Sequence, residues 1–322
     1  MTIEELKNAI GAVVNNPHSM QLYLILKEAR SFEIRLADLG DKRTEPEMRR
    51  LFDGYLKQSI VDDENVRMKK LSAAEDEDNA IYLYDYPTCP DEMQLLKNFN
   101  IREGVQQQKF NFHQDDLSKL YGYIIYLGTM DEGIVLFKKH YPISLIKRDS
   151  FLLGAIKDAG RFEKIEGEDI IRLNGSIQLL RKDNEIYVLD LKSLERNMGF
   201  TEIVKKEALA SIEEIEKLEI VEDIEVLKDT IGEQAFARKI SRIRKSSLIL
   251  KLGIKKDDIV KFTKETPELR GKFKYSADGN QIRLDTKKSK DLFVKLMNDS
   301  FLKSELTDQY YEALVKDEMS RL

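Results

Sequence analysis

The chain has 322 residues, 42% hydrophobic and 34% charged, with 16 Gly and 6 Pro, a composition that excludes disordered, collagen-like and low-complexity chains. At roughly 150 residues per domain that length holds about two hydrophobic cores. A formal net charge of −5 argues against a protein that coats nucleic acid over its whole surface, and the single cysteine, Cys89, excludes disulfide scaffolds and zinc fingers and fits a reducing cytoplasm.

Thr2 with Glu5 three residues on has the spacing of a capping box, which predicts a first helix to about Asn15. Residues 20–26 and 32–36 alternate or run apolar and read as strands. Residues 45–60 follow as a helix opened by Pro46. Residues 81–84 form a further strand, and Asp91 caps a short helix through Leu96 after the Pro87-Thr-Cys-Pro90 turn. Residues 121–127 and 133–138 flank a Met-Asp-Glu-Gly turn and predict a hairpin. Past Pro142 come short strands at 151–156, 169–173, 176–180 and 185–189, then helices from Leu194 to about Leu252 with breaks at Gly199 and Gly232 and a stop at Gly253. Residues 272–276 and 281–285 straddle Asp278-Gly279, a hairpin signal, and a helix over 287–298 precedes an extended C-terminal segment. The expected class is α+β. A mixed N-terminal domain, 1–145, precedes a C-terminal domain, 146–322, that is strand-rich and then helix-rich. The N-terminus lacks a secretory signal, and the longest apolar stretches fall far short of the ~20 residues of a membrane span, so membrane association is expected only through a partner.

The charge is uneven. Residues 231–303 hold 19 Lys and Arg against 9 Asp and Glu, a balance of +10, which leaves −15 for the rest, and residues 201–230 just before them are strongly acidic. On a helix over 235–245, Arg238, Arg242 and Lys245 fall within about 60° of one another, opposite Phe236, Ile240 and Ile243. An arginine stripe of this kind suits phosphate. In the hairpin, Lys272 and Lys274 share a face opposite Phe273 and Tyr275, and Arg283 alternates with Ile282 and Leu284. With the aromatic residues in the core, binding would run through phosphates, without sequence preference and with strong salt dependence. The competing readings are base stacking on single strands, a solvated face, and a docking surface for the acidic 201–230 helix of a second subunit.

Catalytic signals are few. His18, His113 and His140 have no metal-ligand spacing, there is no glycine-rich phosphate loop or nucleophile elbow, and no cofactor or metal is expected. One pattern survives: at the end of a predicted strand, Asp190-Leu-Lys192, with Asp169 about twenty residues upstream, resembles the second half of a restriction-type nuclease core. Two carboxylates there would hold Mg²⁺ and a lysine would stabilise charge on phosphate. The chemistry requires Asp190 and Lys192 on one strand face. No proline precedes Asp169, as that core usually has.

Phe151-Leu-Leu, the strands through Ile177 and Glu185-Ile-Tyr-Val-Leu, the helix ending Ala237-Arg-Lys-Ile-Ser-Arg-Ile-Arg-Lys, and above all the C-terminal Asn298-Asp299, Phe301-Leu302, Ser304-Glu305-Leu306-Thr307 and Tyr311 pattern resemble the KwaB family, the soluble component of two-gene Kiwa antiphage defence systems. The resemblance covers about residues 145–322. It implies a cytoplasmic, homo-oligomeric effector that binds DNA, works with a KwaA-like integral membrane protein at the inner face of the membrane, and interferes with phage replication or late transcription. Enzymatic activity is not required for that role, and Asp190 and Lys192 match no catalytic motif of the family. The resemblance favours the phosphate reading of the basic residues, although no established contact residue carries over to them.

Overall fold

The computed structural model describes residues 1–16, 18–29, 31–39, 43–73, 79–104, 108–141, 153–156, 161–164, 173–303 and 310–312. Two compact units divide the chain: residues 1–68, 79–81 and 91–190, and residues 69–78, 82–90 and 191–322. The boundary expected near residue 145 falls in 142–152, outside the described residues. In space the units part after Asp190, because the strands just before it pair into the first unit's sheet.

The first unit begins with α1 (Ile3–Asn15), whose Thr2 and Glu5 side chains close the expected capping box. Next come β1 (Ser19–Lys27), β2 (Phe32–Leu36) and α2 (Thr44–Leu56), which runs on through a π-helical turn, Lys57–Val61. Then follow β3 (Arg67–Lys70) and β4 (Ala80–Leu83), each divided between the two units, and α3 (Asp91–Asn98), α4 (Ile101–Gly104), β5 (Leu120–Gly128) and β6 (Gly133–Lys139). The small antiparallel pair β7 (Leu153–Ile156) and β8 (Arg161–Lys164) precedes β9 (Leu179–Lys182) and β10 (Glu185–Val188). The strand expected at 169–173 lies almost wholly outside the described residues.

Eight strands make one sheet in the order β2-β1-β5-β6-β9-β10-β4-β3. Its centre is antiparallel, with Tyr23 opposite Ile124 and Ile124 opposite Phe137. β5 and β6 are buried along nearly their whole length, which is why their sequence runs apolar instead of alternating. Gly122 belongs to this packing: a Cβ there would lie 2.8 Å from the Lys138 carbonyl oxygen. Arg181 on β9 reaches across to α3 and donates to the carbonyls of Leu96 (2.6 Å) and Phe99 (2.8 Å), satisfying acceptors at the end of that helix.

Lys138 is the costly element of this core. It is 6% exposed and donates to Asn174 Oδ1 (2.5 Å) and the Ser176 carbonyl (2.6 Å), so it has partners but no counter-ion among the described residues. Burial brings its amine, and that of Lys139, down to about 8. A folded-state pKa below the unfolded value means that between pH 8 and 10.5 the unfolded chain holds protons the folded chain has released, so stability rises with pH across that window. Unfolding free energy measured by denaturant titration is expected to climb between about pH 8 and 9, below the range where the buried tyrosines, whose pKa values burial raises, begin to oppose it, by up to about 1.4 kcal/mol per pH unit for each lysine, and Lys138→Met to lower the slope. Equal slopes in the two proteins would count against this account.

Candidate nucleic-acid interface

The second unit opens with α5 (Leu191–Asn197) and α6 (Phe200–Glu216), which Gly199 enters at φ 67°. Short helices follow: α7 (Glu225–Lys228), α8 (Gln234–Ser241), α9 (Ile243–Ser246) and α10 (Leu248–Lys251), then the longer α11 (Lys256–Glu265). The hairpin β11 (Lys274–Tyr275) and β12 (Ile282–Arg283), α12 (Lys287–Met297) and the pair β13 (Phe301–Lys303) and β14 (Tyr310–Glu312) complete it.

The helix expected over 235–245 breaks at Arg242 into α8 and α9, yet Phe236, Ile240 and Ile243 are buried as its periodicity requires. Its opposite side is enclosed as well. Arg238 is 6% exposed and its Nη1 bonds Glu195 of α5, while the other side of α8 packs on α6. Arg242 is half-buried; desolvation lowers its pKa, against which Asp85 and Tyr86 act to raise it. Lys245 is exposed but pairs with Asp85 at 3.5 Å, and Asp85 also accepts from the Ser72 amide (2.9 Å) and hydroxyl (2.6 Å). Tyr86 meets Ser241 at 3.0 Å. The stripe therefore knits the second unit together: Arg238 faces α5, and Arg242 and Lys245 hold the 82–90 segment. Helical spacing identified the stripe but carries no information about Glu195, 43 residues away.

The hairpin cations are placed differently. Lys272, Lys274 and Arg283 are all exposed. Lys274 and Arg283 sit directly opposite each other across the two strands, a like-charge pairing that Asp285 relieves by approaching Lys274 at 3.6 Å and Arg283 at 3.4 Å. Glu222 also reaches Arg283, at 3.2 Å. That contact follows from the hairpin's seat, since the Ile282 amide donates to the Ile220 carbonyl and the Glu222 amide to the Ile282 carbonyl. Part of the acidic 201–230 segment thus meets the basic segment within one chain. Phe273 is buried as expected. Tyr275 is half-buried, bonds Thr263 at 3.1 Å and has the Lys264 ammonium 4.8 Å from its ring centroid, so its ring already carries a neighbour where a base would stack.

Around the hairpin, Arg270, Lys272 and Lys288 are exposed and have no carboxylate partner among the described residues. Arg270 and Lys288 were not singled out by sequence, because one lies in a turn and the other at a helix start, where amphipathic spacing gives no signal. The nuclease pattern fares differently. β10 ends at Val188 and α5 begins at Leu191, so Asp190 and Lys192 do not alternate along one strand; Asp169 lies outside the described residues. Among the described residues no group of three or more His, Cys, Asp or Glu is placed to hold a metal ion. His18 pairs with Asp53 at 3.2 Å, His140 with Tyr123 at 2.8 Å, and His113 is exposed in a loop.

Removing one partner of the Arg238–Glu195 pair leaves a buried charge alone. Glu195→Ala is expected to cost roughly 3 kcal/mol in denaturant unfolding, and the double replacement Glu195→Met/Arg238→Met distinctly less. Equal costs for the two proteins would show that the pair is not what holds α5 to α8.

The protein-family model described as "Kiwa protein KwaB-like" matches residues 117–307, well over half of the chain. A Kiwa protein KwaB from Escherichia coli O55:H7 (strain RM12579 / EPEC) is 23% identical over 323 residues, covering 99% of each chain. No solved structure matches. The chain belongs to the KwaB-like family and is a component of Kiwa antiphage defence.

Proposed function

We propose that this chain binds duplex DNA through its phosphates, without sequence preference, and so interferes with phage replication or transcription. The observation that carries this reading is the surplus of exposed, carboxylate-free cations beside the β11–β12 hairpin: Arg270, Lys272 and Lys288, with Lys274 and Arg283 at their edge. A cation already neutralised by a neighbouring carboxylate gains little from a phosphate, whereas a free one releases a DNA counter-ion when it binds. Arg238 and Arg242 drop out of the contact set on this ground, since their charges serve α5 and the 82–90 segment. The covered Tyr275 ring argues for backbone contacts over base stacking. No helix among the described residues is long and apolar enough to cross a membrane, in keeping with a division of labour in which a KwaA-like membrane protein is the tether. Assembly into a homo-oligomer would let several weak phosphate sites act together.

The test is fluorescence anisotropy of a labelled duplex with the whole chain at low and moderate salt. Tight binding at low salt, loss of roughly tenfold or more in Arg270→Glu/Lys272→Glu, and intact DNA after incubation with Mg²⁺ are expected. An absence of binding at low salt would overturn the reading, and Mg²⁺-dependent cleavage abolished by Asp190→Ala would replace it with a nuclease.

A further inference from the structure

The connection from α10 to α11 reads Lys251-Leu-Gly-Ile-Lys-Lys256. Its backbone is fixed by three hydrogen bonds: Leu252 N–H to Leu248 O (2.9 Å), Gly253 N–H to Leu250 O (3.2 Å) and Ile254 N–H to Ile249 O (3.1 Å). Gly253 takes φ 62°, the left-handed conformation that ends a helix in this way and that a side chain would strain. Apart from its chain neighbours, no atom among the described residues lies within 4 Å of where a Gly253 Cβ would stand, and Gly253 itself is exposed. Ile254 is half-buried, while Leu252 is 71% exposed at the tip. A fixed turn thereby displays a large aliphatic side chain that it does not fold back. Lys251 and Lys255 beside it are exposed, Lys256 is half-buried, and none of the three has a carboxylate partner among the described residues.

We propose that this turn docks on an anionic phospholipid surface, with Leu252 entering the interface and Lys251, Lys255 and Lys256 meeting the lipid phosphates. The leucine is what separates lipid from nucleic acid as the occupant. A DNA backbone offers an aliphatic side chain nothing unless base pairs part around it, whereas a lipid interface takes up the apolar and the cationic halves of the motif together. The cations are all lysines, compact charges without the fork geometry that reads fixed phosphates, which suits fluid headgroups. Asp257 and Asp258 follow in the first turn of α11, where the helix dipole favours acids. They confine the docking element to six residues and make the attraction weak and sensitive to salt. This surface is separate in sequence from the hairpin proposed to hold DNA, and docking does not depend on that proposal.

The chain contains no tryptophan, so Leu252→Trp supplies a single fluorophore at the tip. With the full-length variant, emission is expected to shift to the blue on adding vesicles of mixed phosphatidylcholine and phosphatidylglycerol, and not on adding phosphatidylcholine vesicles or duplex DNA. In co-sedimentation with the mixed vesicles, Leu252→Glu is expected to reduce binding about tenfold relative to the unaltered chain while leaving its melting temperature and DNA anisotropy unchanged. Failure of the unaltered chain to sediment with anionic vesicles at low salt would overturn the proposal. So would sedimentation of Leu252→Glu at the unaltered level, or a blue shift produced by DNA in place of lipid, which would make the tip a wedge between bases.

Discussion

The second unit is organised around an arginine that water does not reach. Arg238 stands on α8 with apolar residues on the far side of its helix and Glu195 of α5 against its guanidinium. Taking that charge out of water is tolerable only because a carboxylate is held in place to meet it, so α5 and α8 are fixed in register with each other. Two exposed neighbours reach carboxylates that are largely buried: Arg244 bonds Glu207 of α6 at 2.8 Å and Lys245 reaches Asp85. Three contacts of one kind gather α5, α6 and the 82–90 segment around the α8–α9 bend.

This internal use of charge divides the cations of the basic segment into two populations. Those on α8 and α9 face carboxylates of their own unit. Those in the turn before the hairpin and at the start of α12 face solvent, with Arg270, Lys272 and Lys288 lacking a partner among the described residues. The +10 balance of residues 231–303 is therefore not spent in one way: part of it is paired on α8 and α9, and Arg270, Lys272 and Lys288, like the lysines of the α10–α11 turn, carry charge with no carboxylate partner among the described residues. Such a division separates the cations that hold the unit together from those left exposed, so that one set can change without the other.

Local signals were legible in the sequence wherever the cause is local. The Thr2–Glu5 capping box, the apolar runs that become β5 and β6, the Gly199 and Gly253 helix ends and the Asp278-Gly279 hairpin each depend on a few adjacent residues, and each is found where the sequence placed it. The arginine stripe was legible only as a stripe. Helical periodicity shows that Arg238 lies opposite Phe236 but cannot say whether that side faces water or another helix, because Glu195 comes from a different element. The bend at Arg242 escaped for the same reason: no Gly or Pro marks it. Strand alternation does not bring Asp190 and Lys192 to one face, because β10 stops at Val188 and Lys192 already belongs to α5.

Under the proposed function the free cations beside the hairpin hold phosphate and the buried arginine does not. The direct measurement is the slope of log binding constant against log salt for one duplex, compared between the unaltered chain, Arg270→Glu/Lys272→Glu and Glu195→Met/Arg238→Met. Each lost phosphate contact lowers the slope by about 0.9, so the hairpin variant is predicted to lose roughly two units of slope while the buried-pair variant keeps that of the unaltered chain. A hairpin variant with an unchanged slope, or a buried-pair variant with a reduced one, would contradict the account.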